Sequence, residues 1–178
     1  MARPAIDVEH LRALIKDVPD FPKPGIVFKD ITPVLADPQG FGSAVEHLAR
    51  GVAELGAEAL LAIESRGFIF GAALAQRLEM PMHLVRKRGK LPRESVSIRY
   101  ELEYGFDHLE VHQDAVRAGG RYLVVDDLIA TGGTAAAVAE LVRRQGGSVA
   151  GFAFFIELAF LEGRAMLEGA PIVSVLTY

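Results

Sequence analysis

The chain has 178 residues, no cysteine, and 19 basic against 23 acidic side chains, for a net charge of −4. That length favours a single domain with an ample core, and the lack of cysteine excludes a disulfide framework, a thiol nucleophile and any Cys-ligated metal. The acidic balance disfavours nucleic-acid binding; no apolar run reaches the ~18 residues of a membrane span, and residues 1–10 lack the apolar stretch of a signal peptide, so a cytoplasmic protein without a membrane partner is expected.

Residues 5–17 place Ile6, Leu11, Leu14 and Ile15 near one face of a short helix. Prolines at 19, 22, 24, 33 and 38 then forbid a long helix and predict a stiff, irregular segment with short extended pieces. Helical periodicity returns over 40–55, followed by a buried strand at 59–63, a second helix to about 78 and a strand at 82–85, which together make one βαβ unit. Residues 86–118 hold few large apolar residues and much charge, and read as an excursion from the core. A strand at 122–125, a glycine-rich turn and a helix over 134–144 make a second unit. A strand at 149–156, a short helix at 160–168 and a last strand at 172–176 complete the chain. Strands alternating with helices predict an α/β domain with a mainly parallel sheet.

The most informative segment is VVDDLIATGGT, residues 124–134. An apolar strand ends in Asp126 and Asp127, and a turn through Ala130, Thr131, Gly132, Gly133 and Thr134 opens a helix. Glycine removes Cβ and lets N–H groups converge on a phosphate, while the helix N-terminus adds about half a positive charge. The turn is neither a Walker A loop nor G-x-G-x-x-G, which favours a single phosphate monoester over a triphosphate or dinucleotide. Two carboxylates beside a phosphate would repel it unless they address hydroxyls or a cation. A ribose with free 2′ and 3′ hydroxyls and its 5′-phosphate in the turn satisfies that geometry.

Four further features deserve weight on residues alone. Ser65, Arg66 and Gly67 lie between a strand end and a helix start, a second anion site. Residues 86–99 cluster Arg86, Lys87, Arg88, Lys90, Arg93 and Arg99 in an acidic protein, with Gly89 and Pro92 arguing against a helix. Residues 97–112 read as a hairpin or mobile flap turning at Gly105. His108 and His112, four apart in that hairpin, read as surface residues and not as a metal site.

The segment VVDDLIATGGT resembles the donor-binding loop of the type I phosphoribosyltransferases. DFPKPGIVFKDITPVL, ESRGFIFG, VRKRGKLP, YELEYGFDHLEVH and IELAFLEGR resemble the adenine-specific members of that family, in the same order over residues 20–164. Lys29 departs from the pattern, which more often has Arg. The resemblance implies a type I phosphoribosyltransferase fold over 1–178. Its hood would come from the N-terminal segment and the region around 157–164, and its flap from about 86–112. It implies purine salvage: adenine and 5-phosphoribosyl 1-pyrophosphate give AMP and pyrophosphate.

The resemblance also carries roles to particular residues. Ser65, Arg66, Arg86, Lys87, Lys90, Asp126, Asp127, Ala130, Thr131, Gly132, Gly133 and Thr134 would bind the donor. Glu103 would act as acid/base on the purine and Tyr104 would cover the reaction centre. Val27, Phe28, Lys29 and Leu158 would bind adenine. A non-prolyl cis peptide is implied near Glu64–Ser65, Mg²⁺ is expected mainly on substrate oxygens rather than on protein ligands, and a cytosolic homodimer is implied. Two other readings stay open: the same fold acting on a 6-oxo purine, and a regulator of this fold that binds nucleic acid.

Overall fold

The computed structural model describes residues 7–101, 105–167 and 169–178. The chain forms two compact units, one of residues up to His47 and one of Leu48–Tyr178. The first holds helix α1 (Val8–Leu14), strands β1 (Lys16–Pro19) and β2 (Val27–Asp30), helix α2 (Thr32–Ala36) and the start of α3 (Pro38–Val52). Asp7 caps α1 by accepting from the Glu9 N–H, and Leu11 is its buried residue. β1 and β2 pair antiparallel, Asp17 opposite Lys29 and Val18 opposite Phe28, so the proline-rich segment does contain the short extended pieces its composition predicts.

The second unit is built on a seven-stranded sheet. Its strands are β3 (Ala59–Ile63), β4 (Met82–Lys87), β5 (Ser95–Glu101), β6 (Phe106–His112), β7 (Arg121–Ile129), β8 (Ser148–Glu157) and β9 (Ile172–Thr177), in the order β5-β6-β4-β3-β7-β8-β9. Neighbours from β4 through β3, β7 and β8 to β9 pair in parallel, and β6 pairs antiparallel with both β4 and β5. Helix α4 (Gly67–Leu78) packs on β3 and β7; α5 (Gly133–Arg144) packs on β5, β7 and β8. β3 is buried at every position, as a central parallel strand covered on both faces must be. Phe70 of α4 stacks on Phe155 of β8 at 5.1 Å between ring centroids, and both are fully buried, each contributing roughly 1.5–3 kcal/mol through area removed from water.

Four sequence expectations need correction. Residues 86–118 are not an excursion: β5 and β6 extend the sheet, and Ile98, Leu109, Val111, Ala115 and Val116 are buried in the core. Alternate apolar positions are enough to cover one sheet face, so a charged, half-apolar strand can still be a core strand. β7 does not end before its acidic pair, because the ladder continues through Leu128 opposite Ile156 and Ile129 opposite Glu157. The helix expected over 160–168 is two 3₁₀ turns, Ala159–Leu161 and Gly163–Met166. His108 and His112 are half-buried rather than on the surface, and the His112 Nδ1 is buried without a hydrogen-bond partner.

Candidate active site

The site is assembled at the carboxyl ends of the parallel strands, where open α/β sheets receive ligands. β7 leaves the sheet at Ile129, and the chain turns through Ala130–Gly132 into α5. Gly132 is the helix N-cap with φ +82°, a left-handed conformation that costs an L-residue roughly 1–2 kcal/mol. The first-turn N–H groups of a helix have no carbonyl partner within it, so this turn presents donors to a bound anion. A small cavity of about 100 Å³ opens there, lined by Asp126, Leu128 to Ala135, and Phe154. Ala130, Thr131, Gly132, Gly133 and Thr134 therefore stand together in the structure.

A larger cleft of about 450 Å³ adjoins it through Asp126 and Leu128, which line both. Its other walls are Glu64, Ser65, Arg66, Lys87, Lys90 and Asp127. Register explains the convergence: Ile63 pairs with Val85 and Ala62 with Val125, so Glu64, Arg86 and the Asp126–Asp127 pair emerge side by side. The Glu64–Ser65 peptide is cis, as the resemblance implies. Gly67 has no room for a side chain, since a Cβ there would lie 2.7 Å from Asp126 Oδ1 and 3.0 Å from the Asp126 Cα.

Each cation of this cleft meets a carboxylate. Arg66 Nε lies 2.5 Å from Asp127 Oδ2. Lys87 Nζ lies 3.2 Å from Asp107 Oδ2. Glu64 accepts from Lys90 Nζ at 2.6 Å, from the Lys87 N–H at 2.9 Å and from Arg86 Nε at 3.3 Å. Burial alone would raise the Glu64 pKa, but these donors outweigh it and bring it down to about 2. Arg86 also donates to the Lys90 carbonyl at 3.2 Å, which fixes the turn that follows β4.

The acidic pair is asymmetric. Asp127 is buried and engaged by Arg66. Asp126 accepts from the Asp127 N–H at 2.8 Å, and its pKa is driven well up by burial first, then by the neighbouring Asp127 charge. Asp126 thus faces the cleft as a carboxyl whose ionised form is disfavoured by its surroundings, while Asp127 meets the Arg66 guanidinium.

Sequence reasoning passed over Glu64, Asp107 and Tyr100. Glu64 holds three predicted donor-binding positions. Burial raises the Tyr100 pKa, and the neighbouring Thr134 side chain opposes that rise. With Asp107 on Lys87, the β5–β6 hairpin therefore touches two predicted donor-binding residues. Arg93 pairs with Asp114 in solvent, and Arg99 lies over the Phe106 ring, consistent with neither belonging to the site.

The predicted adenine residues divide between the two units. Val27, Phe28 and Lys29 lie on β2; Phe28 meets Phe21 edge-on at 5.1 Å, and Lys29 Nζ reaches Asp17 Oδ1 at 2.7 Å across the ladder. Leu158 follows β8, and its N–H donates to the Ile129 carbonyl at 3.0 Å. Glu103 and Tyr104 lie outside the described residues.

Comparison with known proteins decides the family. The Phosphoribosyl transferase domain family matches residues 35–166. An adenine phosphoribosyltransferase of a Synechococcus species (strain JA-3-3Ab) is 60% identical over 158 residues, covering 88% of this chain and 90% of that protein. The chain belongs to the adenine phosphoribosyltransferases. The crystal structure of the Thermoanaerobacter pseudethanolicus adenine phosphoribosyltransferase superposes with a TM-score of 0.94 at 49% identity, covering 97% of this chain and all of the other. The Saccharomyces cerevisiae adenine phosphoribosyltransferase, solved with an imino-altritol bisphosphate and adenine, superposes with a TM-score of 0.87 at 38% identity over 94% of this chain and 97% of its own. Adenine phosphoribosyltransferases thus share the type I fold seen here, a mostly parallel sheet flanked by helices.

Proposed function

We infer that this chain transfers the phosphoribosyl group of 5-phosphoribosyl 1-pyrophosphate to adenine, releasing pyrophosphate and forming AMP in purine salvage. The observation that carries the reading is the pair of adjoining cavities. One is walled by helix N-terminal backbone for a monophosphate, the other by Arg66, Lys87 and Lys90 for a pyrophosphate, and Asp126 is common to both.

In this reading the 5′-phosphate accepts from the backbone and hydroxyls of Thr131 to Thr134, which fixes the sugar. Asp126 and Asp127 take the ribose hydroxyls, and their field favours positive charge developing at C1′. The C1′–oxygen bond to pyrophosphate breaks as the bond from adenine N9 to C1′ forms. Ser65, Arg66, Arg86, Lys87 and Lys90 stabilise the charge gathering on the departing pyrophosphate. Glu103 takes up the proton that the purine loses, Tyr104 covers the reaction centre, and Val27, Phe28, Lys29 and Leu158 hold the base. Residues 1–178 act as one phosphoribosyltransferase domain, with a hood from the N-terminal segment and the region around 157–164 and a flap over about 86–112.

Among the described residues no three His, Asp or Glu side chains gather as a metal cage, and Asp127 already serves Arg66. Mg²⁺ would therefore be held mainly by the donor's own oxygens, with Asp126 a carboxyl of the same cleft that could add to its shell. Bound there it would neutralise pyrophosphate charge. We assign the chain to the cytoplasm as a homodimer; no helix among the described residues is long and apolar enough to cross a membrane. Sedimentation at micromolar concentration reads the dimer directly, and a monomer refutes it.

The decisive assay offers adenine, hypoxanthine and guanine together with the donor and measures each nucleotide formed. AMP should dominate, and a preference for a 6-oxo purine would overturn the substrate. Glu103→Gln should lower kcat by about 10²–10⁴ with little change in adenine affinity, the range typical of a lost acid/base group. Unchanged turnover with chemistry limiting removes Glu103 from the reaction.

A further inference from the structure

The phosphate loop is braced from behind. Gly163 opens the second 3₁₀ turn, and a Cβ built on it would meet the Ala130 carbonyl and come within 3.0 Å of the Gly132 nitrogen. Reciprocally, a Cβ on Gly132 would strike the Gly163 carbonyl and come within 3.1 Å of the Met166 Cβ. Two glycines thus let two backbones touch where the loop must hold its N–H groups toward a ligand.

That contact is pinned by a buried carboxylate. Glu157 is the last residue of β8, opposite Ile129 of β7 and Thr177 of β9, and is 5% exposed. Arg164, next to Gly163, donates to it twice, Nε to Oε1 at 2.5 Å and Nη2 to Oε2 at 2.7 Å. The same guanidinium reaches the Ile172 carbonyl and the Ser174 hydroxyl, each at 3.4 Å. A bidentate pair of this kind fixes direction as well as distance, which a lysine cannot reproduce. One side chain therefore ties the 3₁₀ turn to the ends of two strands, and the turn presses Gly163 onto the loop that follows a third.

We propose that Arg164 and Gly163 are positioning residues for the phosphate loop: the Glu157–Arg164 pair holds the 3₁₀ turn so that the Gly163 backbone keeps Ala130–Gly132 in its phosphate-receiving shape. The inference rests on the reading that this loop takes the 5′-phosphate. It predicts a selective defect. Loosening the brace harms the monophosphate cavity, while the cations of the pyrophosphate cleft, Arg66, Lys87 and Lys90, lie at or just after the ends of β3 and β4 and keep their positions.

Calorimetric titration of the full chain with ribose 5-phosphate and, separately, inorganic pyrophosphate in magnesium buffer tests it. Arg164→Lys and Glu157→Gln should each weaken ribose 5-phosphate about tenfold, and Gly163→Ala more, up to about 10²-fold, the scale of a displaced positioning group. Pyrophosphate affinity should stay within about twofold, since its ligands lie elsewhere. Arg164→Lys combined with Gly163→Ala should be little worse than Gly163→Ala alone, because both act on one contact. Gly163→Ala leaves the ion pair in place, so it tests the brace even if the charge variants fold poorly. Equal weakening of both ligands, or unchanged ribose 5-phosphate binding in folded variants, overturns the proposal. Thr134→Val separates the two levels: if it leaves ribose 5-phosphate binding untouched, the loop reading itself fails and this inference with it.

Discussion

The two ends of the donor site are built from different materials. The phosphate loop, Ala130–Thr134, is made of backbone, two glycines and a helix terminus, and its shape is set by a close backbone contact behind it. The pyrophosphate side is made of long cationic side chains, each resting on an internal carboxylate: Arg66 on Asp127, Lys87 on Asp107, Lys90 and Arg86 on Glu64. A ligand entering the first finds donors already placed. A ligand entering the second must replace counter-ions that the protein supplies to itself. Shape should therefore govern one end, and charge and ionic strength the other.

The largest effect should come from breaking shape. Gly132→Ala places a Cβ at φ +82° against the Gly163 carbonyl, so kcat/KM for the donor should fall about 10²-fold or more, with adenine KM nearly unchanged. Steady-state kinetics with both substrates varied reads this, and an equal loss for adenine would mean that the loop serves more than the phosphate.

A charge variant should behave otherwise. Lys87→Ala should weaken pyrophosphate about tenfold at low salt, the worth of one charge-assisted hydrogen bond. The gap from wild type should narrow as ionic strength rises and the Debye length falls from about 10 Å toward 3 Å. Gly132→Ala should show no such salt dependence in ribose 5-phosphate binding. A salt-insensitive Lys87→Ala defect would erase the distinction between the two ends.

The smallest effect concerns the carboxylate that organises the charged end. The Glu64 pKa stands at about 2 against an ordinary 4.5, so its ionised form is favoured by folding. That contribution is fully present above the ordinary value and is lost as pH falls through about 2. Thermal melts should show Glu64→Gln less stable than wild type at pH 7, with the Tm difference shrinking progressively as the buffer is taken below 4.5 toward 2. A gap that persists at the acid end would assign the loss to packing rather than to charge.

Much of this arrangement is legible in the sequence where a signal is local. The apolar run ALLAI predicts its strand with the observed ends, Ala59–Ile63, because a strand buried on both faces needs no periodicity. The threonines and glycines of 131–134 announce an anion site because they sit at a helix start, and the acids at 126 and 127 point to hydroxyls beside it. What escaped depends on register. Nothing adjacent to Glu64 in sequence shows that Arg86 and Lys90, 22 and 26 residues on, will close around it; β3–β4 pairing does that. Arg164 is equally silent, since its role needs the ends of β8 and β9 beside it. The hairpin over 97–112 is legible, but its place in the core is not. Ile98, Leu109 and Val111 cover one face of β5 and β6, and the charges between them face away, so average polarity concealed two core strands.

The most direct test of the account is a crystal structure of the protein with ribose 5-phosphate and pyrophosphate bound together. The account predicts the sugar phosphate accepting from the N–H groups of Thr131 to Thr134, the ribose hydroxyls on Asp126 and Asp127, and pyrophosphate between Arg66 and Lys87. A sugar phosphate lodged away from that turn, with the turn empty, would contradict it.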